Sequence, residues 1–266
     1  MKFLVFTWIS MILLLSNVFS IYVVSGQCIL DEKTVLLQIR REITCNSSAS
    51  TKLVLWDERV DCCHWPGVSC NDAESGGHIS RLNLSDDESI SNGFNLSLLL
   101  KLPSLSVIML DNINFSAPFP DFFPDFTNLT VLSLVRCNFT GIVPHKIFQV
   151  PTLQTIDLSL NGMLRGSLPE FPENGSLQVL KVAFTMFSGN LPESIGNLRL
   201  LSYIHLTGCD FSGPIPASFR KLTKLVEVFL DWNHFSGSIP SFKQSKNLIV
   251  ITLNRNDFAG EIPFSH

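Results

Sequence analysis

Leu222 to Pro240 reads LTKLVEVFLDWNHFSGSIP, and its frame, LxxLxxVxLxxNxFxGxIP, is written seven times along the chain. The Leu that leads into each copy falls at Leu105, Leu129, Leu153, Leu177, Leu201, Leu225 and Leu248, in steps of 24 residues with a last step of 23. A period of this length marks a stacked repeat rather than one globular core. A single copy cannot bury its apolar side chains alone. Stacking lets each coil share its interior with two neighbours, so stability becomes a sum of interface terms along one axis.

Within a copy, the alternating part, VEVFLD in the quoted stretch, predicts one short strand with leucines on one side and variable residues on the other. Successive strands are expected to pair in parallel. The Asn at Asn161, Asn233 and Asn256 falls where the chain leaves the strand, and its amide can satisfy backbone groups of adjacent turns. Cys137 and Cys209 take the same place in two other copies, which reads as buried structural thiols rather than redox centres. Phe115, Phe139, Phe187, Phe211, Phe235 and Phe258 share one equivalent position and are expected in the core. GxIP supplies a Gly for a tight turn and a Pro that fixes an extended exit, so the outer side is expected to be extended or irregular, not helical. The segment Asn161 to Pro169 carries one extra residue, and the following linker is one shorter.

A net charge of -4 over 266 residues carries no nucleic-acid footprint. Residues 1–26 combine Lys2, an apolar run from Phe3 to Val24, and Ser25 and Gly26, the pattern of a secretory signal peptide cleaved near Gly26. An uncleaved anchor is the alternative, since the run approaches spanning length. Both place the repeats in an oxidising, glycosylating compartment. Seven Asn-x-Ser/Thr sequons begin at Asn46, Asn83, Asn95, Asn114, Asn128, Asn138 and Asn174. None follows Asn174, which points weakly to four last strands free of sugar.

Residues 27–76 read as a cap and residues 77–266 as repeats, one atypical and seven regular. Asp31 to Arg41 predicts an amphipathic helix with Asp31 as its cap, basic residues closing its last turn, and Val35, Leu36, Ile39 and Ile43 on one face. Gly77 to Ser85 predicts the first strand, with Ile79, Leu82 and Leu84 inward. Between them lies LVLWDERVDCCHWPGVSC, Leu53 to Cys70, with Trp56 and Trp65 supplying area and cysteines supplying staples. Vicinal Cys62 and Cys63 are poorly placed to bond each other. Joining Cys63 to Cys70 and Cys62 to Cys28 would tie the segment together, although spacing alone leaves connectivity open. A zinc site at Cys62, Cys63, His64 and Cys70 is disfavoured, because an oxidised cap uses its thiols as disulfides and the spacing lacks two separated ligand pairs. Cys45 is left as a free thiol or an intermolecular contact.

The 24-residue frame preceded by DCCHWPGVSC resembles the extracellular leucine-rich repeats of plants, over about residues 27–266. The order of elements looks like plant receptor-like proteins, and FPDFTNLTVLSL and FQVPTLQTIDLS are similar to the Verticillium wilt resistance receptor-like proteins of tomato and relatives. The resemblance implies a right-handed leucine-rich-repeat solenoid of α/β repeat class, with a parallel concave sheet and a disulfide-stapled helical N-terminal cap. It also implies the pairings Cys28 with Cys62 and Cys63 with Cys70. The function it implies is an immune receptor ectodomain, secreted or at the cell surface, that binds a microbial protein or peptide. A co-receptor kinase is the expected partner where the full-length chain is membrane-anchored. Family receptors continue through further repeats, a C-terminal cap, a transmembrane helix and a cytoplasmic tail, so these residues read as a fragment or a short secreted form. A secreted inhibitor of a microbial cell-wall hydrolase, such as a polygalacturonase, is the alternative, and a structural scaffold a weaker one.

The variable concave positions lie two, four, six and seven residues beyond each leading Leu. The fifth and sixth copies are read as combining large aromatics with charge there, which selects Tyr203, His205, Glu227, Phe229, Asp231 and Trp232 as one ligand-binding patch. His205 and Asp231, on neighbouring strands, could approach each other, but the frame places no nucleophile beside them. Asn83 faces the same way, so a sugar there would obstruct one end of the sheet. The six histidines are scattered, with no HExxH, GxSxG or phosphate loop, and the reading is of a binding protein without cofactor, metal, nucleic acid or catalysis.

Overall fold

The computed structural model describes residues 27–43, 52–72, 76–85, 87, 90 and 92–260. The leader 1–26, Cys45 and the Asn46 sequon lie outside the described residues. The repeats coil into a solenoid with two parallel sheets. Nine strands form the concave sheet in chain order: Val68–Cys70, Ile79–Asn83, Val107–Met109, Val131–Ser133, Thr155–Asp157, Val179–Lys181, Tyr203–His205, Glu227–Phe229 and Val250–Thr252. Only the first pair is antiparallel, and there the cap lends the strand Val68–Cys70 to the edge of the solenoid. Elsewhere each residue pairs with its equivalent in the next copy, as Val107 with Val131 and His205 with Phe229.

Inward side chains follow directly from that register. Leu225, Val228 and Leu230 are fully buried, and their equivalents Leu201, Ile204 and Leu206 stack beneath them. Each contributes about 1.5–3 kcal/mol of apolar burial. Phe139, Phe187, Phe211 and Phe235 are fully buried, while Phe115 and Phe258 are partly so. Phe211 and Phe235 stack with centroids 6.0 Å apart. The Asn ladder takes the expected form. Asn161 Oδ1 accepts from the N–H groups of Cys137 and Phe139 at 3.1 and 2.9 Å, while its Nδ2 donates to the carbonyls of Leu134, Leu158 and Ser159. Cys137 and Cys209 imitate only the donor half, each Sγ reaching a carbonyl of the preceding coil at 3.1 Å. Cys137 is buried, but Cys209 is only half-buried, a departure from the expected pair of sealed thiols. Burial, reinforced by Asp111, pushes the Cys137 thiol up to about 12.

The outer side is more ordered than "extended or irregular". Six strands, Thr140–Ile142, Met163–Gly166, Met186–Gly189, Asp210–Pro214, His234–Gly237 and Asp257–Phe258, form a second parallel sheet on the flank. Its register differs from the concave one: residues pair two positions earlier than equivalence, as Ser212 with His234 and Ser236 with Asp257. The extra residue near Asn161 leaves this offset intact, since Thr140 pairs with Met163 and Arg165 with Met186. Gly213 and Gly237 turn the chain out of this sheet with φ of 74° and 72°. Pro144, Pro192 and Pro216 then hold extended backbone, and each is followed by a short 3-10 helix that aims Ile147, Ile195 or Phe219 inward.

The cap helix spans Leu30–Glu42, with Val35, Leu36, Ile39 and Ile43 buried. Its cap residue is Ile29, which makes no side-chain cap bond; Asp31 lies one residue inside the first turn, too late to serve. Asp61 instead accepts from the N–H groups of Cys28 and Cys63. Disulfides join Cys28 to Cys62 and Cys63 to Cys70. Glu32, buried on the helix, accepts from Ile79 N at 2.7 Å and meets His78 Nδ1 at 2.7 Å, clasping the cap to the first repeat strand. Ile79, Leu82 and Leu84 point inward, fully buried.

Candidate functional site on the concave sheet

The in-register sheet lays equivalent residues in rows. One row runs Asn83, Met109, Ser133, Asp157, Lys181, His205, Phe229 and Thr252; beside it run Val179, Tyr203 and Glu227. Adjacent strands lie about 4.8 Å apart. His205 is the centre of the selected patch. Its Nε2 lies 3.2 Å from Glu227 Oε2, and its ring packs edge-on against Phe229 with centroids 4.3 Å apart. Burial lowers its proton affinity, Lys181 on the preceding strand lowers it further, and Glu227 pulls the other way. Asp157, at the far side of Lys181, is held above its ordinary range by burial. Lys181 and Asp157 therefore belong to the same charged row. Confining the selection to the fifth and sixth copies passed over them, although the fourth copy carries Phe184 beside Lys181 and the 24-residue spacing to His205 placed both in line.

His205 and Asp231 take separate partners rather than each other. Asp231 is held by hydroxyls on both sides, accepting from Thr207 Oγ1 at 3.0 Å and from Thr252 Oγ1. Among the described residues no hydroxyl or thiol hydrogen bonds to His205, so its neighbours are a carboxylate and an aromatic ring. The cysteine-rich cap brings sulfurs of Cys28, Cys62 and Cys63 close to the Asp61 carboxylate, but all three sulfurs are spent in disulfides.

Trp232 stands apart from the strand residues at the rim. It is 52% exposed, with the Arg255 guanidinium 4.0 Å from its ring centroid. Its backbone is left-handed, φ 55°, and so is every residue seven beyond a leading Leu: Asn112, Arg136, Leu160, Phe184, Gly208 and Arg255 have φ between 54° and 66°. The cause is a bond to the next coil, as Trp232 N donates to Asn254 O at 3.1 Å and Phe184 N to Thr207 O at 2.8 Å. A non-Gly residue pays about 1–2 kcal/mol for that conformation. The coil geometry thus fixes where each rim side chain is presented. Asn83 sits on the concave sheet as expected, half-buried, its Oδ1 accepting from Ser85 N. Asn95, Asn114, Asn128, Asn138 and Asn174 are exposed.

Coils of this period, ladder and cap define a leucine-rich-repeat protein. A leucine rich repeat N-terminal domain model matches residues 29–71, and a leucine rich repeat model matches 128–149 and 200–222. The chain is similar to plant receptor-like proteins. It is 36% identical over 109 residues to Receptor-like protein 6 of Arabidopsis thaliana, covering 41% of this chain and 11% of that one. It is 30% identical over 198 residues to Receptor-like protein EIX1 of Solanum lycopersicum, covering 68% and 19%. These residues thus span about a tenth to a fifth of such relatives. Among solved structures, the Arabidopsis receptor kinase HAESA in complex with the peptide hormone IDA and the co-receptor SERK1 aligns with a TM-score of 0.69 at 28% identity, over 88% of this chain and 43% of that one. No helix among the described residues is long and apolar enough to cross a membrane.

Proposed function

We propose that this chain is the N-terminal recognition module of an extracellular plant immune receptor-like protein, and that it binds a protein or peptide of microbial origin across the row Asp157, Lys181, His205 and Phe229. The observation that carries the reading is the concentration of half-buried aromatics beside charge on adjacent strands, Tyr203 paired with Glu227 and His205 with Phe229. Half-buried aromatic anchors beside charges are what a protein hot spot requires. The likeness to HAESA, whose solved complex holds a peptide hormone and a co-receptor, supports a peptide ligand and a co-receptor kinase as partner. The likeness to EIX1 and Receptor-like protein 6 supports a cell-surface setting.

The test is selection of a random displayed peptide library, and of fractionated microbial culture proteins, on the secreted chain. Binders are then measured against Phe229→Ala, Trp232→Ala and the double variant. A hot spot predicts a loss of about tenfold or more for Phe229→Ala, equal to ~1.4 kcal/mol. Undiminished binding to the folded double variant rejects the concave site. Binders drawn only from the random library reject the microbial assignment.

A further inference from the structure

The flank carries a second surface, away from the concave row. Four apolar side chains stand in water between the rim and the flank strands, Leu160 and Phe184 at the rim position equivalent to Trp232 and Met163 and Met186 on the flank, exposed by 38%, 53%, 57% and 41%. Phe184 lies across Gly208, where a Cβ would come within 2.7 Å of the ring, so the missing side chain makes its seat. Beside it a cavity of about 380 Å³ opens across three flank strands, with Arg165 on one wall, Met186 and the half-buried Cys209 along its length, and Asp210 on the other wall. Past Asp210 the charge turns acidic. His234 lies between two carboxylates, its Nε2 3.4 Å from Asp210 Oδ1 and its Nδ1 3.8 Å from Asp257 Oδ2, all three well exposed. On the other side the equivalent row begins with Asn114 and Asn138, both exposed sequon residues, linked by a bond from Asn138 Nδ2 to Asn114 Oδ1.

We infer that this flank is a docking surface for an extended protein segment that seats one aliphatic or aromatic side chain in the cavity and places a Lys or Arg over Asp210 and Asp257. The apolar rim supplies area, and Met186 and Met163, unbranched and polarizable, adapt to side chains of different shape. The acidic pair sets the sign of the neighbouring residue, because a cation gains and an anion is repelled there. The Asp210 strand is the direct neighbour of the Met186 strand, and extended backbone advances about 3.3 Å per residue, so spacers of one and two residues between the apolar anchor and the cation bracket the reach. Arg165 faces the end of the segment opposite the cation and donates to its carbonyl oxygens. The surface is independent of the concave reading and stands or falls separately from it.

Met109 lies on the concave sheet and Met163 and Met186 on the flank, so methionine methyl resonances separate the two surfaces. The secreted chain, labelled at methionine methyls, is titrated with blocked peptides of the pattern Leu-Gly-Gly-Arg or Phe-Gly-Arg, and with the same peptides carrying Glu for Arg or Ser for the apolar residue. Expected is a shift of Met163 and Met186 with Met109 unmoved, weakened about tenfold or more by Glu or Ser. Asp210→Lys with Asp257→Lys reverses the preference toward the Glu peptides, and Phe229→Ala with Trp232→Ala leaves it unchanged. All four substitutions fall on exposed or half-buried positions, and unaltered methyl dispersion verifies the fold. Absence of any shift, equal shifts from all peptides, movement of Met109 in place of Met163 and Met186, or an unreversed charge preference overturns the inference.

Discussion

Replacing Asn161 tests what holds one coil to the next. Among the described residues its amide oxygen is the sole acceptor for the buried N–H groups of Cys137 and Phe139, and its amide nitrogen serves carbonyls of two coils. Asn161→Ala orphans both donors at about 1–3 kcal/mol each and leaves a small void, a total of about 3–5 kcal/mol. Asn161→Cys restores only a donor to the carbonyls, as Cys137 and Cys209 do in their coils, and part of the volume; both N–H groups stay orphaned, so it is expected to recover only about 1 kcal/mol of that loss. Asn161→Asp keeps the acceptor but turns a carboxylate onto the carbonyls of Leu134 and Leu158, so it is expected to be the worst of the three. A solenoid need not unfold in one step, so the assay pairs urea unfolding with amide hydrogen exchange at Cys137 and Phe139. The reasoning fails if Asn161→Ala costs less than about 1 kcal/mol, or if Asn161→Cys and Asn161→Ala are equally harmful.

Gly208→Val forces a β-branched residue into φ 66° and displaces Phe184; urea unfolding is expected to show a loss of at least about 1–2 kcal/mol. Leu160→Gly relieves the same left-handed strain, but glycine's greater freedom in the unfolded chain offsets part of it, so a gain below about 1 kcal/mol is expected in the same assay. Glu32→Ala leaves the buried Ile79 N–H without its acceptor and should free the cap, seen as accelerated exchange at Ile79 and a cost of about 2–3 kcal/mol, with Glu32→Gln recovering most of it. Asp157 is held above its ordinary range by burial, so as pH rises past about 4 the unfolded chain gives up this proton first, binds fewer protons than the folded chain, and stability falls. Asp157→Asn removes that decline; unfolding midpoints should show the variant more stable at neutral pH, with the advantage shrinking as pH falls toward the ordinary aspartate range.

Much of the coil was legible because its physics is periodic. Leu225, Val228, Leu230, Asn233 and Phe235 each do one thing at one spacing, and that spacing assigns it. What stayed hidden lacks a compositional mark. Leu160, Phe184 and Trp232 have no preference for left-handed backbone, which is imposed by a hydrogen bond to the next coil. The flank strands show no period-two pattern of their own, since FSGSIP mixes a core Phe with Ser and Gly. Glu32 reads as an ordinary acidic residue in a first helical turn, yet it is buried against Ile79, a partner 47 positions away. Asp231 and His205 sit one coil apart as the register requires, but each found a nearer partner in Thr207 and Glu227.

The flank's two-residue offset acts as a second ruler on the same coil. On the concave side, equivalent residues of adjacent coils are one strand spacing apart, about 4.8 Å. On the flank they are displaced by two further residues along the strand, about 6.6 Å, which puts equivalent backbone sites roughly 8 Å apart. An extended segment would therefore meet an equivalent position every one or two residues on one side of this molecule and every two or three on the other. A sequence spaced to match one side would be out of step on the other, so the same coils present two surfaces of different cadence.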